Sequence, residues 1–236
     1  MKTRPTSSVK PPASKPPTSK PPTSKPRIPV IRYTLPARLN HSVTAVSFML
    51  LTLSGLAFFH PSLYFLTMLF GGGELARLLH PWIGVVLAVS FAGLFLRFWR
   101  DNRWRAEDGA WIGSLRQVLS GHEENLPEIG KYNAGQKFVF WGMAVFVLGL
   151  LGSGILIWEQ YFGTLTPVDT QRVAVLVHSA LAILGILVLV VHIYAAIWVR
   201  STIGAMSKGT VTAGWAWRHH RKWLREEAAK GLRPRT

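Results

Sequence analysis

Four long apolar runs, separated by polar segments, set the pattern of this chain. Residues 42–59, 80–96, 138–158 and 173–199 carry no lysine, arginine, aspartate or glutamate. About 20 apolar residues cross a hydrocarbon core roughly 30 Å thick, so each run, with its flanks, is long enough to span a bilayer. The pattern predicts an all-α membrane protein, a bundle of four transmembrane helices within residues 38–200. Residues 61–79, with Gly71-Gly72-Gly73, read as a connection lying on the membrane surface. Residues 111–119 read as a short interfacial helix inside a polar segment that ends in Gly130-Lys131-Tyr132-Asn133-Ala134-Gly135-Gln136-Lys137. Gly142, Gly149 and Ser153 share one face of the third run, where small side chains admit a close neighbour.

The ends differ from the middle. Residues 1–37 repeat Pro-Pro-Thr-Ser-Lys with small variations, as at Pro16 to Lys20 and Pro21 to Lys25. Proline removes backbone donors, and nothing there builds an apolar core, so an extended, disordered tail is expected. That tail has no apolar stretch of the secretory kind. Residues 201–236 read as a basic tail, amphiphilic around residues 215–224.

Charge then gives an orientation. The chain holds 27 lysines and arginines and a formal net charge of +16. All but Arg77 and Arg172 fall before the first run, between the second and third, or after the fourth. Basic residues favour the cytoplasmic side, so both termini and the middle loop are expected in the cytoplasm of a bacterial cell, with the chain multi-pass in the inner membrane. The lipid bilayer accounts for the basic balance, and no nucleic-acid partner is called for. The chain has no cysteine. Disulfides, Cys-ligated iron–sulfur clusters and covalently attached c-type haem are therefore excluded.

The candidate chemistry is histidine. His178 and His192 are fourteen residues apart on one uncharged run. Their helical directions differ by about 40° and their heights by about 21 Å. Imidazoles at membrane depth need partners in the bundle interior. With alternating helices, His41 falls at the depth of His192 near the cytoplasmic face, and His80 at the depth of His178 near the outer face. Two same-depth pairs are what two six-coordinate, non-covalent haems b require, with His41, His80, His178 and His192 as axial iron ligands. Gly55, Gly84 and Gly185 lie on the same stripes as these histidines, where a missing side chain lets a flat ligand approach. His60 is read as interfacial, and His122, His219 and His220 as solvated.

The stretches Arg38-Leu39-Asn40-His41, Leu79-His80-Pro81-Trp82-Ile83-Gly84, Lys131-Tyr132-Asn133-Ala134-Gly135-Gln136-Lys137 and Val191-His192-Ile193-Tyr194-Ala195-Ala196 resemble the gamma subunit, a cytochrome b, of membrane-bound respiratory formate dehydrogenase. The resemblance runs over residues 38–223. It implies an iron–sulfur beta subunit outside the membrane, which receives electrons from a molybdenum- or tungsten-containing alpha subunit that oxidises formate. The gamma subunit itself does not touch formate. It reduces a quinone, menaquinone or ubiquinone, near the inner haem, within a complex that can form higher oligomers. Asn133, Gly135, Gln136 and His192 correspond to the quinone site. Read from the residues alone, Asn133 and Gln136 also suit an ordinary helix cap. The rival readings are a cytochrome b serving a hydrogenase or another periplasmic enzyme, and a haem-free anchor or transporter.

Overall fold

A computed structural model describes residues 28–120, 126–199 and 201–231. Four helices in it are long and apolar enough to cross a membrane: α1 (Leu35–Phe59), α2 (Gly73–Phe98), α5 (Ala134–Ile157) and α7 (Val168–Trp198). Between them lie a 3-10 helix (Pro61–Phe70), the short helices α3 (Ala106–Gly113) and α4 (Leu115–Leu119), and α6 (Glu159–Phe162). Strand β1 (Pro29–Ile31) precedes α1. Helix α8 (Thr202–Lys208), strand β2 (Thr210–Thr212), α9 (Ala213–His219) and α10 (Arg221–Gly231) follow α7.

Local chemistry sets the boundaries. Pro36 stands in the first turn of α1, where a missing N–H costs nothing. The helix stops at His60, extended at φ −140°, because a residue before proline avoids the helical region. Gly71 at φ +84° and Gly72 at φ +107° turn the chain into α2 in a backbone region that side chains resist. Pro81 lies inside α2, which nevertheless continues to Phe98.

The helices pack as two antiparallel hairpins, α1 on α2 and α5 on α7, joined where α2 meets α5 and α1 meets α7. Gly149 lets the second hairpin close tightly: a Cβ there would stand 2.6 Å from Leu181 Cδ1. Midway along the bundle, Phe48, Leu87 and Val147 form a buried apolar layer with Phe91, Met143 and Ile186 against it. Helix α7 is the most apolar of the four and the least buried within the protein. Its apolar surface therefore suits hydrocarbon rather than a protein core. At the end where α2 begins, Trp82, Trp158 and Tyr161 cluster with ring centroids 4.9 to 5.9 Å apart, an aromatic belt of the kind found at membrane–water boundaries.

The opposite end carries a folded cap, which corrects the expected tails. β1 pairs antiparallel with β2, Pro29 opposite Thr212 and Ile31 opposite Thr210. Ala205, Val211, Ala216 and Trp223 form a small core beneath it. Residues 28–37 thus belong to the fold, and α1 starts at Leu35. Likewise residues 201–231 are packed structure rather than a basic tail. Apolar residues spaced among the lysines and arginines, Val211 and Trp223 above all, supply the reason. The Pro/Ser/Lys repeats and His122 lie outside the described residues.

Candidate functional site

The bundle brings the four predicted histidines together in two pairs. His80 from α2 faces His178 from α7, ring centroids 6.3 Å apart and planes at 62°. His41 from α1 faces His192 from α7, centroids 6.4 Å apart and planes at 46°. An imidazole–metal–imidazole sandwich with bonds of about 2 Å on each side puts the ring centroids roughly 6 Å apart. Both gaps would therefore accommodate one metal ion with a nitrogen ligand from each ring. The pairs sit on either side of the Phe48 layer, and the heights of His178 and His192 along α7 differ by about 21 Å.

The pair near the aromatic belt is held by serines that sequence reasoning missed. Ser54 Oγ lies 2.7 Å from His80 Nδ1, and Ser153 Oγ lies 2.9 Å from His178 Nδ1. Ser54 and Ser153 are buried. In both residues the hydroxyl donates to a carbonyl one turn back, Leu50 O at 2.9 Å and Gly149 O at 2.7 Å. In the sequence, Ser153 is only a small residue on a packing face, and Ser54 carries no signal beyond being a hydroxyl in an apolar run.

The glycines divide. A Cβ on Gly55 would stand 3.7 Å from His80 Cε1, so this residue backs the imidazole as its depth predicted. Gly84, one turn into the bundle from His80, has nothing within 4 Å of its Cβ position. Gly185 instead meets Phe48 and Phe146, whose rings fill the layer between the pairs. His60 is exposed, accepts a hydrogen bond at Nδ1 from the Ser62 N–H and caps the 3-10 helix.

The loop entering α5 lies at the cap end. Asn133 Oδ1 accepts from the Gln136 N–H at 2.8 Å, and Gln136 Oε1 accepts from the Asn133 N–H at 3.1 Å. This reciprocal cap uses both side-chain oxygens and leaves both amide NH2 groups as donors. Gly135 packs against the Trp111 ring, 3.2 Å from where a Cβ would stand. Next to it, Lys137 Nζ meets the two Asp108 oxygens at 2.8 and 2.6 Å, a fully buried ion pair tying α3 to α5. Burial beside Tyr33 pushes the Tyr132 phenol well above its usual pKa of 10.0, so it stays neutral.

His220, expected in solvent, is buried against this loop. Its Nδ1 lies 2.8 Å from Gly130 O and its Nε2 3.2 Å from Arg32 Nη2. Arg32 in turn donates to Lys131 O at 2.6 Å and stacks on Trp223 and Trp215, 4.9 and 5.1 Å from their centroids. Burial first, and the Arg32 charge second, push the His220 pKa down to about 3. A hydrogen bond to Lys222 at 2.7 Å holds Glu107 below the usual carboxylate range and fastens α10 to α3.

Sequence comparison decides the family. Residues 32–209 match the model of prokaryotic cytochrome b561. The chain belongs to the prokaryotic cytochrome b561 family. Within that family it is similar to named formate dehydrogenase subunits, as its motifs suggested. It is 43% identical to the cytochrome b556(fdo) subunit of formate dehydrogenase from Escherichia coli (strain K12), over 84% of this chain and 92% of that one. Identity is 36% to the nitrate-inducible cytochrome b556(Fdn) subunit of the same organism, over 84% and 91%. It is 37% to the cytochrome b556 subunit of Haemophilus influenzae, over 86% and 85%. Cytochrome b membership implies haem b, and the facing imidazoles fit it: neutral nitrogen donors, an interior position and no cysteine to make a covalent link.

Proposed function

We propose that this cytochrome b561-family protein is the di-haem subunit of a respiratory formate dehydrogenase, carrying electrons across the membrane to a quinone. The observation that carries the reading is the pair of histidine sandwiches, at 6.3 and 6.4 Å, at two heights on α7. His80 and His178 would hold one haem iron, and His41 and His192 the other. When bound, haem b supplies a one-electron carrier at each height. The protein would contribute imidazole ligands, a water-excluding apolar bundle and a fixed separation between the two centres. The relatives named above are all formate dehydrogenase subunits, which favours that complex over a hydrogenase.

The basic cap end faces the cytoplasm in this reading, and the aromatic-belt end faces the iron–sulfur subunit. The 3-10 helix and residues 159–171 then form the surface toward that donor, and formate is oxidised elsewhere in the complex. At the cap end, the NH2 groups of Asn133 and Gln136 are donors for a quinone carbonyl beside His192, while Gly135, packed against Trp111, seats the loop that carries them. A carbonyl gaining electron density is stabilised by such donors and by the N-terminal end of α5. A quinone needs two electrons and two protons to become the quinol. The electrons arrive one at a time from the other side, and the protons enter from the cap side.

The test is purification from native membranes, identification of co-purifying subunits and a pyridine haemochrome assay. Two acid-extractable haems b per chain, with an iron–sulfur subunit and a formate-oxidising subunit, are expected. One haem or none per chain would overturn the di-haem reading, and a different catalytic partner the formate reading.

A further inference from the structure

Serines inside membrane helices commonly donate to a carbonyl on their own helix, and that alone needs no explanation. Ser54 and Ser153 do so, and each also has a second partner on the neighbouring helix. The arrangement is the same twice. In the first hairpin, Ser54 on α1 meets His80 on α2. In the second, Ser153 on α5 meets His178 on α7. Both serines are followed by glycine, and the glycine lies against the edge of the same imidazole: Cε1 is 3.7 Å from the Cβ position of Gly55 and 3.4 Å from that of Gly154. A Ser-Gly step thus cradles each ring of the pair, with nothing between ring edge and backbone.

The neighbouring carbonyls favour one direction for each bond. A serine hydroxyl has one hydrogen, and it goes to Leu50 O or Gly149 O. With the hydroxyl hydrogen on a carbonyl, the oxygen is free to accept from the imidazole, and an Nδ1–H on both His80 and His178 is part of the proposal made below. Nε2 is left with its lone pair, which is the form that binds iron. Among the described residues, no ring nitrogen of His41 or His192 has such a hydrogen-bond partner.

We propose that Ser54 and Ser153 are positioning residues for the haem between His80 and His178, each fixing the tautomer and ring plane of one axial ligand. The inference rests on the reading of those histidines as an axial pair. A ligand imidazole that donates Nδ1–H to an oxygen is a stronger donor through Nε2 and favours the oxidised metal. The two haems of this chain are thereby made unequal by the protein: the one at the aromatic-belt end is held on both sides, the one at the cap end is not.

The experiment uses the intact complex with Ser54→Ala, Ser153→Ala, the hydroxyl-retaining Ser54→Thr and Ser153→Thr, and Ser90→Ala as a control. Ser90 is a buried serine that accepts from Thr44 at 3.1 Å and donates to Leu87 O at 3.0 Å, with no histidine among its hydrogen-bond partners. Readouts are haem content, a potentiometric titration and the low-temperature EPR spectrum of the oxidised protein. In each alanine variant the midpoint potential of one haem rises and its low-spin ferric signal moves, while the other haem is unchanged. The threonine variants and Ser90→Ala keep the original values. Loss of one haem from an alanine variant, retained in the matching threonine variant, has the same meaning. Unmoved signals with two haems bound, equal movement of both haems, or threonine behaving as alanine would overturn the proposal. Fewer than two haems in the unaltered protein would instead remove the axial-pair reading beneath it.

Discussion

Lys137 Nζ sits between the two carboxylate oxygens of Asp108, with both side chains sealed from solvent. Asp108 also accepts from the Arg105 N–H at 2.7 Å and so starts α3, while Lys137 belongs to the first turns of α5. One carboxylate therefore joins the polar middle segment to a membrane helix. Removing one partner of a buried pair leaves an uncompensated charge and costs about 3–5 kcal/mol. Asp108→Ala is expected to lower the stability of the protein by that amount, read as a fall in the midpoint of thermal unfolding. Asp108→Leu combined with Lys137→Met should recover most of the loss, because apolar partners of similar volume need no solvation. A loss under about 1 kcal/mol for Asp108→Ala would mean that water reaches the pair.

The pairing of histidines by depth predicts separable haem losses. His80→Ala should remove the haem at the aromatic-belt end and stop reduction by formate, while added quinol still reduces the other. His41→Ala should do the reverse. Optical spectra at defined potentials distinguish the two centres. Loss of the same centre in both variants would mean that His41 and His80 serve one centre, and would overturn the pairing.

The four spans were legible because lipid-facing helices must be apolar on every side, and unbroken runs say so without tertiary information. The histidine pairs were legible for a related reason: one helix period and alternating direction fix face and depth. A capping box at Asn133 and Gln136 is likewise local. What the chain concealed is long-range. Arg32 meets His220 across 188 residues, and neither has a neighbour in sequence that marks it as buried. Among so many lysines and arginines, a basic residue reads as solvated, and only the strand pairing of Val30 with Val211 brings the aromatic box around Arg32. The contact of Ser54 with His80 was hidden similarly, since the two are 26 residues apart on different helices.

His220 gives a pH prediction. Its Nδ1–H donates to Gly130 O, and its Nε2 accepts from Arg32, so a second proton would face the guanidinium, with His219 adding like charge when protonated. The folded pKa of about 3 lies below the usual 6.5, so the unfolded chain binds the proton first. The contribution to stability is complete above pH 6.5 and drains away as pH falls from there toward 3, by up to about 1.4 kcal/mol per pH unit. Thermal unfolding compared at pH 7 and pH 5 should show this loss. His220→Gln keeps a donor for Gly130 and an acceptor for Arg32 but does not titrate, so it should lessen the pH dependence by about one proton. An unchanged slope in that variant would place the titrating group elsewhere.

The quinone end can be tested without breaking the fold. Asn133→Asp and Gln136→Glu together keep the two oxygens that close the helix cap, and remove the two NH2 donors. With those donors gone, a quinone carbonyl gaining electron density meets carboxylates instead, so both haems should stay bound and reducible by formate while their reoxidation by quinone slows. Asn133→Ala with Gln136→Ala removes the cap as well, at about 0.5–2 kcal/mol, and separates loss of stability from loss of donors. Reoxidation at the original rate in the acidic variant would remove this loop from the quinone site. If electrons enter at the aromatic-belt end and protons at the cap end, turnover also moves negative charge through the bundle and builds a potential, negative on the cap side. Each charge crossing against 100 mV costs about 2.3 kcal/mol, which the fall in potential from donor to quinone must exceed. Proteoliposomes carrying the complex should therefore develop a membrane potential with formate and quinone, without a proton channel through the four helices, whose apolar runs contain no carboxylate. Turnover with no potential, measured with a voltage-sensitive dye, would show that both half-reactions exchange their charges on one side.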